Sequence, residues 1–145
     1  MDRRDTLQRL DRMIELGGAV VLFRDRHIEA PENDWRKPYN ALLDRYAADD
    51  DARKLRKGAG FASHESVLLD SPFSVFERIG VIERRTTPVE HIEDRMLSLS
   101  SVSRARIGAS ADRMVEELRV VLADFAVDGA VPEIVESQAL IARRP

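Results

Sequence analysis

Asp25 and His27 stand two and four residues after five consecutive apolar residues, Ala19-Val20-Val21-Leu22-Phe23. A carboxylate and an imidazole at the carboxyl end of a strand stand where open α/β sheets take their ligands, so this pair is a candidate substrate contact. Trp35 and Tyr39, four apart on a helix, face one way and would line a substrate pocket; the same spacing also serves a helix anchored by aromatics on its core face. Arg95 and Arg104 have the fork geometry to hold an acidic group, unless they simply face solvent. His64-Glu65 would make an acid-base pair, but neighbours on a helix point apart and a capped helix start accounts for both. Asp49-Asp50-Asp51 lacks the glycine turn and later glutamate of a calcium loop and reads as a solvated turn. No residue declares itself catalytic. The three histidines, His27, His64 and His91, have no metal-ligand spacing, so no metal site is expected.

The composition narrows the classes. Absence of cysteine removes disulfides, zinc-thiolate sites and thiol nucleophiles. A net charge of −3 with 34% charged residues argues against a nucleic-acid surface, which needs clustered Lys and Arg. No apolar run approaches membrane-spanning length, and Met1-Asp2-Arg3-Arg4-Asp5 opens a helix instead of a signal region, so no membrane and a cytoplasmic location are expected. The 145 residues are one domain's length.

The elements that must position these residues follow from periodicity. Leu7, Leu10, Met13 and Ile14 mark a first helix, capped by Asp2 or Asp5 and running to about Leu16, with Gly17 as the left-handed residue behind it. The apolar run is too short for a buried helix and does not alternate, which predicts a central strand covered on both faces. Asp34 would cap a second helix from Trp35 to about Ala48, and 54–60 would be a basic loop. Ser63 would start a short helix. A long strand through Gly80, with a bulge there, a helix behind Thr87-Pro88, a break at 98–103 and a helix from Ala111 to about Phe125 capped by Ser110 follow. Asp128-Gly129 turns the chain into a last strand with Ile134 apolar. The fold class expected is α/β: a three-stranded mixed sheet, strands about 18–24, 74–85 and 131–142 in the order first, third, second, with about five helices.

This order resembles the latter half of class I S-adenosylmethionine-dependent methyltransferases, in the small-molecule group that includes trans-aconitate methyltransferase. The likeness rests on Met1-Asp2-Arg3 ahead of a helix, on Leu16-Gly17-Gly18 before the apolar strand, on the closing pair Phe76 to Arg85 and Ile134 to Arg143, and on the tail Ala139 to Pro145. Ser100-Ser101-Val102-Ser103 is similar to the serine-rich loop that such enzymes place over the substrate, which adds Ser101 to the candidate contacts. The resemblance implies a partial Rossmann-like fold, a single acceptor-side domain over 1–145, and S-adenosylmethionine as methyl donor. The donor, however, needs a G-x-G-x-G loop after a first strand and an acidic residue after a second. This chain has no such loop, and Gly58-Ala59-Gly60 follows no strand.

S-adenosylmethionine is therefore not expected to bind this chain alone. The expected function is that of a truncated or split methyltransferase acting on a small molecule and inactive by itself; the alternative is a non-catalytic ligand-binding or assembly module on the same fold. Either way, the open strand edge predicts a homo-oligomer or a companion chain that supplies the missing half.

Overall fold

The computed structural model describes residues 2–58 and 61–145, apart from the side chains of residues 52, 56 and 57. The elements are α1 (Arg3–Met13), β1 (Ala19–His27), a 3-10 turn (Pro31–Asn33), α2 (Arg36–Tyr46), α3 (Asp51–Lys57), α4 (His64–Leu69), β2 (Val75–Pro88), α5 (Val89–Leu97), α6 (Arg104–Ile107), α7 (Ser110–Ala123) and β3 (Ala130–Arg143). The class is α/β and the alternation of elements is the expected one. Among the described residues there are seven helices instead of about five, because α3 and α6 form where loops were expected. For α3 the reason is electrostatic. Three acidic residues repel at the end of one helix but favour the start of the next, and Asp50 Oδ1 accepts the Arg53 amide at 3.2 Å. Met1, and Ala59 and Gly60 at the end of the expected basic loop, lie outside the described residues.

The sheet runs β1-β3-β2, the expected order. It is antiparallel and not mixed, since β3 lies between the other two strands and opposes both. Position in the sheet also corrects the reading of β1. It is an edge strand whose Val20 is buried while Val21 and Phe23 are 42% and 81% exposed. Five apolar residues in a row serve both faces of a strand, and here one face is left open. β2 is continuous through Gly80, and the Glu136 carboxylate fills the space beside that glycine where a Cβ would stand. Asp128 and Gly129 both take positive φ, 50° and 76°, between Val127 and Ala130, which bridge each other; this two-residue turn leads into β3. Along β3 the buried positions are Val131, Glu133 and Val135, then Gln138, Leu140 and Ala142, so the alternation slips by one residue after Val135.

The chain forms two compact units. The first comprises Met1–Arg26, Ala59–Ile82 and Glu136–Pro145. Its core gathers Leu7, Val20, Val67, Leu68, Phe73 and Leu140. Asp2 caps α1 by accepting the Arg4 amide at 2.8 Å, and Gly17 is left-handed at φ 85°, as expected. Helix α1 ends at Met13, where Arg144 takes over its carbonyls: Nη2 donates to the Asp11 and Ile14 oxygens at 2.6 and 3.0 Å. Ser63 starts α4 as expected, accepting the Ser66 amide at 3.0 Å.

The second unit comprises His27–Gly58 and Glu83–Val135. Helices α2, α5 and α7 close around Trp35, Leu42, Ile92, Met96, Met114 and Leu118, each side chain worth roughly 1.5 to 3 kcal/mol when fully buried. Two expected caps are replaced. Asp34 accepts from Lys37 Nζ at 2.7 Å and leaves the start of α2 to the 3-10 turn, while Ser110 is already the first residue of α7 behind a left-handed Gly108. Among the described residues no helix is long and apolar enough to cross a membrane.

Candidate functional site

The second unit holds a buried polar cluster built from the ends of its strands. Glu133 occupies an inward position of β3 between Val131 and Val135 and is 0% exposed. A carboxylate there requires several donors. Arg95, from α5, supplies Nη1 to Oε2 at 3.0 Å and Nη2 to Oε1 at 3.1 Å. The Thr87 hydroxyl, near the end of β2, donates to Oε1 at 2.6 Å, and His27 Nε2, at the end of β1, lies 2.7 Å from Oε2. Burial by itself pushes the Glu133 carboxyl up. The hydrogen bonds from His27, Arg95 and Thr87, with the charge of Arg95, outweigh that and hold it well below the usual carboxylate range. Glu133 is thus an acceptor only, and His27 Nε2 must carry the proton between them.

Around this pair stand the aromatics of α2. Trp35 meets the His27 ring edge to face at a centroid distance of 6.0 Å and the Tyr39 ring at 5.5 Å, and its indole N–H donates to the Pro132 carbonyl at 2.9 Å. Burial pushes the Tyr39 phenol up, with the charge of Arg36 opposing. The loop between β1 and α2 is pinned by buried Asn33, whose Nδ2 donates to the Ile28 and Ile134 carbonyls, each at 2.8 Å, and whose Oδ1 accepts the Ile134 amide at 3.0 Å. That loop frames an open cleft of about 590 Å³ lined by His27, Asn33, Asp34, Arg36 and Lys37 among others.

No family model and no curated protein matches this chain.

Of the residues singled out from sequence, the structure brings together His27, Trp35, Tyr39 and Arg95. Asp25 lies in the first unit, exposed, accepting from Ser137 Oγ at 2.7 Å. Arg104 is exposed and pairs with Asp112 at 2.6 Å, and Ser101 is buried at 3% exposure between α5 and α6. Arg95 spends its fork on Glu133, so the two arginines do not converge on one anion. His64 and Glu65 diverge as neighbours on a helix must: His64 is exposed, while Glu65 accepts from Arg24 and Arg78 at 2.8 and 2.7 Å.

Glu133, Arg36 and Thr87 were missed. For Glu133 a signal existed, a lone acid flanked by valines two residues away on either side in a strand. Among the described residues, no group of three side chains able to hold a metal ion converges.

Proposed function

We propose that this chain is the acceptor-side half of a class I methyltransferase-like protein, holding a small molecule in the cleft of the second unit. One observation carries the reading: β1 is an edge of the sheet in the order β1-β3-β2, with no strand on its other side among the described residues, as when a further sheet segment belongs beside it. His27, the last residue of that same strand, lines the cleft. Its Nε2 is engaged by Glu133 at 2.7 Å.

The residues present do not fit S-adenosylmethionine. Its approach to backbone needs glycine in a strand-to-helix turn, whereas Ile28-Glu29-Ala30 follows β1 and Val89 follows β2 directly. The donor would come from a separate glycine-rich half. Calorimetric titration tests this: no heat of S-adenosylmethionine binding from this chain alone, and binding on co-expression with a polypeptide carrying such a half. Saturable micromolar binding by this chain alone overturns the reading. The exposed Val75, Ile79, Val81 and Ile82 of β2 favour a second reading as a non-catalytic assembly module, which predicts no donor binding in either case.

A further inference from the structure

Arg36 opens α2, is half-buried, and is the cation of the cluster that Glu133 does not neutralise. Its Nη1 lies 3.3 Å from His27 Nε2. That nitrogen already donates to Glu133, so two donors face each other and His27 cannot satisfy the guanidinium. The Trp35 and Tyr39 rings lie 5.6 and 5.8 Å from its central carbon and supply a stacking surface without a counter-charge. Among the described residues, no carboxylate is within ion-pair distance of Arg36, because Glu133 is held by Arg95, His27 and Thr87.

The charges count the same way. Glu133 carries one negative charge against the positive charges of Arg36 and Arg95, which leaves one positive charge in surplus. Burial lowers the Arg36 pKa, Tyr39 opposes, the nearby Arg95 lowers it further, and Glu133 offsets part of this as the smallest of the four effects; an arriving anion relieves the repulsion. Elsewhere in the cleft the wall carries one net negative charge. Lys37 is paired with Asp34 at 2.7 Å, and Glu29 also lines the wall, which disfavours a second negative charge on the ligand.

The geometry points to this cleft as a binding site for a small monocarboxylate, with the Arg36 guanidinium as the fork that grips the carboxylate and the His27 ring beside it. A cleft of about 590 Å³ suits a small metabolite. The inference rests on the acceptor-cleft reading for the purpose of the site. Its test uses no methyl donor, so the two fail separately.

The full ¹⁵N-labelled chain is titrated with sodium acetate, against sodium chloride at matched ionic strength and against inorganic phosphate, and followed by ¹H–¹⁵N spectra. Acetate should give saturable shifts at the Arg36 side chain and at the amides of residues 33–37. Affinity should fall about tenfold or more in Arg36→Gln and about threefold in Arg36→Lys, which keeps the charge but not the fork, and should hold in Lys54→Gln, at a residue that does not line the cleft. The same spectra report whether each variant is folded; if Arg36→Gln is not, Arg36→Lys decides. No saturable acetate shift, undiminished binding in the folded variants, or phosphate or chloride binding as well as acetate overturns the proposal. Acetate binding that weakens as stated supports it whatever the S-adenosylmethionine titration gives.

Discussion

Glu133 has no contact with solvent and is held ionised by Arg95, His27 and Thr87, so its protonation is tied to the integrity of the second unit. The sign follows from linkage. Its folded pKa lies below the unfolded value, so its stabilisation is complete above that value and is lost as pH falls from about 4.5 toward the folded pKa. Glu133→Gln should destabilise the chain by roughly 3 kcal/mol at neutral pH, because Arg95 keeps its charge while losing its counter-ion. Thermal melts between about pH 7 and 3 should show the wild type losing stability in acid more steeply than the variant. Parallel slopes would show that other carboxylates set the acid limit. The sequence named His27, Trp35, Tyr39 and Arg95 but not the acid that joins two of them. Ile134 was taken as the apolar position of its strand, which turns Glu133 outward; in the fold Glu133 shares the inward phase of Val131 and Val135. Nothing in the type or spacing of Arg36 sets it apart from an arginine in any first helical turn.

At the scale of elements, the strands and most helices were legible because their periodicity is local. α3 was not, since its start depends on Asp50 acting as a cap in place of a helix-ending charge. The open face of β1 was not legible either. Five apolar residues look alike whether both faces are covered or one, and which holds depends on where the strand falls in the sheet. The slip in β3 had no sequence signal, because Glu136 and Ser137 are polar residues that suit either phase. The clamp on α1 is a further long-range feature. Besides its bonds to Asp11 and Ile14, Arg144 Nη1 donates to the Glu15 carbonyl at 3.1 Å, and its guanidinium stands 5.0 Å over the Phe73 ring. Arg144→Gln should therefore cost about 1 to 2 kcal/mol, and hydrogen exchange should quicken at the last amides of α1. Unchanged exchange at those amides would show that the helix end holds without it.

For the whole molecule, the two sheet edges are where self-association is expected. Phe23, 81% exposed on the open face of β1, is an apolar group available for assembly beside that edge strand. Sedimentation velocity should find the wild-type chain self-associating in a concentration-dependent way and Phe23→Lys shifted toward monomer. A wild type that stays monomeric across the range would remove the edge as an interface between copies. The first unit is stitched from three stretches far apart in sequence, and Asp11 meets Arg144 across a separation of 133 residues. A ribosome releasing this polypeptide would have emitted the opening helix long before the guanidinium that secures it emerges from the exit tunnel. Helix α1 is thus completed only after Arg144 has been made, and until then its apolar stripe is left for a chaperone to shield.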